Sequence, residues 1–313
     1  MEAVSDAQVP PAALLNVDHV AHFVPDIDAA SAALERLGFT LTPFSPQSHR
    51  LEPEGPLVPA GTGNRCVMLE RGYLEFLTPT LDTPVADPLR AAIARYIGVH
   101  LIAFGTSAPE RDHTRLATEG FEPLPPVALQ RPIGTESGED TARFTVVRVP
   151  PGRMAEGRIQ FCRHHTPQLL WQRRWLEHRN GVLGIAGVFL CAADPEEAAA
   201  RYSRFTGLEA KRAESTWRIE TARGVLVFVQ AQTLERSFHV TAPALPWIAG
   251  YVLECKAPGA TRDYLSRAGA EVTTMARGHL LVPLPPALGG IIVFAAPGAS
   301  APDFQAGTLQ SAS

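Results

Sequence analysis

One phrase occurs twice in the first half of this 313-residue chain, and it constrains the fold more than any other feature. A strand with one histidine leads into a helix ending at Gly-Phe, and 34 to 37 residues after that glycine comes a strand of the form Gly-x-Leu/Ile-Glu/Gln. The first copy holds His19 in VDHVAHFV, Gly38-Phe39, and Glu75 in GYLEFL; the second holds His100 in GVHLIAFG, Gly120-Phe121, and Gln160 in GRIQFC. His19 lies 19 residues before Gly38 and His100 lies 20 before Gly120, so the match survives counting. Internal repeats of this kind set the architecture before any single element does.

Each copy reads as βαβββ. The first has a strand at 17–24, a helix at 26–37 opened by the N-cap candidate Asp26 and closed by Gly38, and strands near 39–44, 64–70 and 73–78. The second has a strand at 98–105, a helix at 109–119, and strands near 121–127, 142–149 and 157–163. A third unit starts at GIAGVFLC (184–191) with a helix from Asp194-Pro195 to Gly207, and a fourth at AGYVLECK (249–256) with a helix ending at Gly269. In these later units the Glu and Gln positions become Val227 and Ile292, and the histidines have no counterpart. The expected fold class is therefore α+β, built from four βαβββ units.

The spacing predicts a flexible extension over 1–14, a first domain over 15–165, a helical linker over 166–181, a degenerate second domain over 182–296 and a flexible tail over 297–313. Leu169, Leu170, Trp171 and Trp175 give the linker an apolar side that should pack. Residues 46–63 and 124–140 are rich in Pro and Gly and read as long irregular loops over a site.

Composition narrows the partners. With 45% hydrophobic side chains the chain can bury at least one large core, and a net charge of −4 offers no broad basic surface for nucleic acid. No stretch approaches the ~20 apolar residues of a membrane span, and the acidic start lacks the positive region of a signal peptide. A cytoplasmic protein with a small-molecule substrate is expected, with a homodimer left open. Cys66, Cys162, Cys191 and Cys255 lie far apart in apolar runs and read as buried thiols.

Paired βαβββ units, with histidine on the first strand and Glu or Gln on the last, resemble the vicinal oxygen chelate superfamily of glyoxalase I, bleomycin-resistance proteins and extradiol dioxygenases. The phrases NVDHVAHFV and GYLEFL carry the likeness best. The resemblance covers about residues 15–296 and implies two domains with cupped mixed sheets. It also implies one divalent metal held by His19, Glu75, His100 and Gln160, with Gln160 the weakest donor. Imidazole with carboxylate and amide oxygens suits Zn, Mn, Fe, Co or Ni.

Strand alternation puts His19 with Ala21 and Phe23 on one face, and Asp18 with His22 on the other. Glu75 pointing into a cup must be paired, protonated or metal-bound; on a face open to water it would be merely solvated. His164 shares the parity of Gln160 and is a candidate acid or base, or else it caps a strand end. Arg65, Arg143 and Arg158 sit on strands and could bind a substrate carboxylate, or be solvated.

The activity this implies is a metal-dependent glyoxalase-like lyase or isomerase acting on a small oxygen-chelating substrate. The alternatives are an Fe(II)-dependent extradiol-type dioxygenase and a metal-free sequestration protein. Against the dioxygenase, those enzymes place their ligands in the later pair of units, and here they lie in the earlier pair.

Overall fold

In the computed structural model, residues 7–50, 55–299 and 301–304 are described. The first unit comprises β1 (Asn16–Phe23), α1 (Ile27–Arg36), β2 (Ser45–Arg50), β3 (Leu57–Met68) and β4 (Tyr73–Pro79). Helix α2 (Asp87–Arg95) leads to the second: β5 (Gly98–Gly105), α3 (Pro109–Thr118), β6 (Val127–Thr135), β7 (Gly138–Arg148) and β8 (Arg158–His164). After α4 (Pro167–Leu170) comes the third: β9 (Val182–Cys191), α5 (Pro195–Thr206), β10 (Ala210–Ala213), β11 (Thr216–Glu220) and β12 (Val225–Val229). Helix α6 (Ala231–Phe238) precedes the fourth: β13 (Trp247–Cys255), α7 (Pro258–Arg267), β14 (Thr273–Thr274), β15 (Leu280–Pro283) and β16 (Ile291–Ala295). All four units are βαβββ, and the class is α+β.

Local chemistry sets the element ends. The Asp26 carboxylate accepts from the backbone N–H groups of Asp28 and Ala29 at 2.9 and 3.0 Å, and Asp194 does the same for Glu196 and Glu197. Gly38 and Gly207 follow their helices at φ +86° and +73°, a conformation that costs other residues about 1 kcal/mol or more.

The first strand of each unit pairs antiparallel with its counterpart and parallel with its own last strand. Thus β1 lies between β5 and β4, and β9 lies between β13 and β12. The glycine of the repeated phrase permits that parallel contact. A Cβ on Gly72 would lie 2.6 Å from the Asp18 carbonyl oxygen, and one on Gly157 would lie 2.3 Å from that of His100. Each last strand therefore reaches the histidine-bearing strand only through a residue without a side chain.

The halves meet directly. Ile248 of β13 pairs with Val99 of β5, and one core runs through Val20, Leu34, Tyr202 and Leu253. His22 spans the junction: its Nδ1–H donates to the Leu288 carbonyl at 2.9 Å, and its Nε2 accepts from the Tyr251 hydroxyl at 3.1 Å. Burial pushes this imidazole down to about 4, so it is neutral and fully bonded.

Four points of the sequence reading are corrected. The described residues of the Pro- and Gly-rich stretches pair as strands, β2 with β3 and β6 with β7, and the strands placed near 39–44 and 121–127 begin at Ser45 and Val127. Prolines 46 and 132 survive there because β2 and β6 are edge strands. Helices α2 and α6, at matching joints in the two halves, were read as no element. Asp18 does not point away from His19, for the reason given below.

Gln8 is fully buried and tied to Glu70 and Gly72, while Phe304 packs on Phe189 and Phe238. Of the two expected flexible ends, residues 1–6, 300 and 305–313 lie outside the described residues. All four cysteines are free and buried. Among the described residues no helix is long and apolar enough to cross a membrane.

Candidate metal and substrate site

Cross-strand register lays the candidate residues in rows on the concave face of the first half. One row runs Cys66, Glu75, Ala21, Leu101, Arg158, from β3 through β4, β1 and β5 to β8. The next runs Met68, Tyr73, His19, Ala103, Gln160, Arg148, ending on β7. Directly paired residues project to the same side, so His19, Glu75, Gln160 and Arg158 share this face. The β6–β7 hairpin and the linker close over it: Trp171 is 1% exposed and its indole N–H donates to the Leu69 carbonyl at 2.9 Å.

His100 sits in neither row. The register slips between Ala21 and His22 opposite β5, making His100 the extra residue of a bulge. Its ring lies between those of Phe23 and Tyr96, with centroids 5.2 and 3.9 Å away, and its Nε2–H donates to the Tyr96 carbonyl at 2.8 Å. Burial pushes its imidazole down to about 4 and that bond offsets only part of the shift, so the ring is neutral at pH 7.

A second bulge, between Val17 and His19, turns Asp18 into the cup. The Asp18 carboxylate accepts from His19 Nδ1 at 2.7 Å and from His164 Nε2 at 3.0 Å, and it is fully buried. Burial alone would raise this carboxyl, but the two imidazoles, His164 foremost, hold it well below the usual carboxylate range. Burial also opposes charge on His164, yet Asp18 overrides it and pushes the imidazole up to about 10. The pair is a buried ion pair walled by Tyr73, Phe144 and Trp171. His164 holds its proton through the neutral range in this pair.

The donor inventory fits a divalent ion in its chemistry. His19 spends Nδ1 on Asp18 and retains Nε2; His100 spends Nε2 on Tyr96 and retains Nδ1. Glu75 has one oxygen bonded by the Asn64 amide. The Gln160 carbonyl oxygen is buried with no hydrogen-bond partner among the described residues. A ligand whose second atom is fixed by a carboxylate, carbonyl or amide is the usual outer-shell pattern around a metal. In position the fit is incomplete, because the donor atoms of His19, Glu75 and His100 do not all lie within 4.8 Å of one another. Among the described residues the trio that meets that distance is Asp18, Cys162 and His164.

The arginines divide by strand parity. Arg158 is on the cup face, exposed, its guanidinium 5.8 Å from the Phe23 ring centroid. Arg65 lies on the opposite face to Asn64 and Cys66, and Arg143, which is exposed, on the opposite face to Phe144 and Val146. Asp18, Asn64, Tyr73, Arg131 and Arg148 line the cup without having been singled out. For Asp18 the only available signal was its adjacency to His19, which the alternation rule discarded.

A family model for a glyoxalase-like domain matches residues 17–206, more than half of the chain. No curated protein matches in sequence. Solved structures do match in fold. A hypothetical protein from Staphylococcus aureus aligns with TM-score 0.62 at 10% identity, covering 90% of this chain and 100% of that one. A mutant 4-hydroxymandelate synthase from Streptomyces coelicolor aligns with TM-score 0.52 at 14% identity, covering 92% and 95%. A xylose isomerase-like TIM barrel/4-hydroxyphenylpyruvate dioxygenase fusion aligns with TM-score 0.53 at 11% identity, covering 93% of this chain and 51% of that one. At these identities the likeness shows the fold alone. With the repeated units and the cupped sheet, the domain match establishes that this chain belongs to the glyoxalase-like domain family and has the vicinal oxygen chelate fold.

Proposed function

We propose that the first half is a divalent-metal-dependent, glyoxalase-like lyase or isomerase acting on a small substrate with two neighbouring oxygens. The observation that carries this reading is the orphaned Gln160 oxygen, buried on the same face as His19 and Glu75, whose second heteroatoms are held by Asp18 and Asn64. His19 through Nε2, His100 through Nδ1, Glu75 and Gln160 would hold the ion. Bound there, it would supply Lewis-acid polarisation of the substrate oxygens.

The chain's own groups supply the rest. Asp18 fixes the His19 tautomer and keeps that ring turned toward Tyr73, on which it stacks at 4.3 Å. Glu75, anchored by Asn64, would accept a proton from bound substrate. Ala21, Phe23, Leu77, Leu101 and Ala103 form an apolar wall that excludes water and strengthens every charge interaction within.

One observation favours a second reading, metal-free binding of a small molecule: His100 is packed between two aromatic rings and away from His19 and Glu75. Metal analysis of protein purified without added metal separates the two. Stoichiometric metal in the wild type, lost in a His19→Ala/His100→Ala variant, supports the enzyme. A folded wild type that takes up none of Zn, Mn, Fe, Co or Ni sinks it. Oxygen uptake with a catechol under Fe(II) then distinguishes a dioxygenase from an isomerase.

A further inference from the structure

We infer that Arg148 and Arg158 form an anion-binding subsite, so that the substrate of this cup carries a carboxylate or phosphate group. The inference deepens the proposal above and rests on its placement of substrate in the cup.

Both side chains rise from the concave face, Arg158 in the row of Glu75 and Arg148 in the row of Gln160, on adjacent strands. Neither forms an ion pair or a side-chain hydrogen bond among the described residues, and the Nε of Arg148 is buried without a partner. The nearby acids are already engaged: Asp18 by two imidazoles, Glu75 by Asn64. Arg131 of β6, near the thiol of Cys66, adds a third guanidinium. Counting Asp18 against His164, the cup holds three guanidiniums and one further carboxylate. Such an excess of positive charge gathered at one face favours the binding of an anion there.

Two neighbouring arginines that repel each other and lack a protein acid match the planar oxygens of a carboxylate, or those of a phosphate. Arg148 is one strand, about 4.8 Å, from Gln160. A small molecule can therefore set its anion on the arginines and its neighbouring oxygens against Gln160 and His19.

The test is isothermal titration of the full chain, in chelator, with malonate, methyl phosphate and the neutral malonamide. Saturable binding of malonate or methyl phosphate and none of malonamide is expected, and the stronger of the two anions identifies the group. Arg148→Gln and Arg158→Gln should each weaken that binding about tenfold or more, while Arg143→Gln, on the outer face, leaves it unchanged. Circular dichroism checks folding, and Arg158→Gln, at an exposed position, decides the matter if Arg148→Gln does not fold. Absence of anion binding by the folded wild type, or an equal effect of Arg143→Gln, overturns the inference. Because chelator is present, a chain that binds malonate but takes up no metal keeps this subsite and loses the metal. The reverse result loses the subsite alone.

Discussion

Replacing Asp18 by asparagine removes one charge from the cup while keeping the shape and an oxygen for His164 to donate to. The interaction at stake is large, because both groups are buried and His164 Nε2 lies 3.0 Å from the carboxylate. His164 is raised from 6.5 to about 10 in the folded chain, so its protonated form contributes fully below pH 6.5 and the contribution fades as pH rises through about 10. Asp18 is depressed, so its share is present above its ordinary 3.8 and is lost as pH falls. The two windows describe one interaction and are not added. At pH 7 the His164 shift corresponds to about 4 kcal/mol, in line with the ~3–5 kcal/mol cost of breaking a buried ion pair. For a chain of this size that amounts to roughly 10 °C in melting temperature. Thermal unfolding of wild type and Asp18→Asn at pH 6, 8 and 9.5 should show that gap at pH 6 and a narrower one at pH 9.5. Nitrogen-15 NMR should show one histidine charged at pH 8 in the wild type and neutral in the variant. A gap below about 1 kcal/mol, or one independent of pH with no charged histidine, would refute the ion pair.

Two further outcomes follow from particular contacts. His22→Phe strands the Leu288 carbonyl and the Tyr251 hydroxyl at the junction of the halves and should cost about 2–4 kcal/mol in urea unfolding at pH 7. Since His22 titrates near 4 when folded, against 6.5, the wild type loses stability as pH falls from about 6.5 toward 4; the variant should lack that share of the acid slope. Gly72→Ala places a Cβ 2.6 Å from the Asp18 carbonyl at φ +82° and should lower stability by about 2 kcal/mol or more, whereas Gly120→Ala, with open space around it, should pay only the backbone strain of about 1 kcal/mol. Equal melting temperatures for the two glycine variants would count against the close strand contact.

The repeat carried the architecture because a βαβββ unit leaves its mark in spacing: capped helices, glycines after them, and a glycine where the last strand crosses close to the first. It placed His19, Glu75 and Gln160 on one face for the same reason, since β4 and β8 are regular and alternation holds from His19 to Ala21, between the two bulges. It failed where the strands are irregular. Both histidine-bearing strands slip register at a bulge, and alternation then assigns Asp18 to the wrong face and says nothing of where His100 points. Arg131 was illegible because its strand, with Pro132 and Gly134, has the composition of a loop, and Arg148, on the strand expected at 142–149, carried no mark to set it apart from a solvated arginine.

The two copies of the phrase also differ in a way visible in the sequence once the bulges are known. Asp18 precedes His19, and Val99 precedes His100. The first histidine is therefore held by a carboxylate that is itself paired with His164, and the second by a carbonyl and two aromatic rings. A charged carboxylate holds an imidazole N–H more firmly than a neutral carbonyl does. Two residues at matching places in the repeat thus differ in how firmly each ring is held for a ligand. His19→Ala should accordingly weaken metal binding more than His100→Ala, and the order would be reversed if the aromatic enclosure, not the carboxylate, made the stronger ligand.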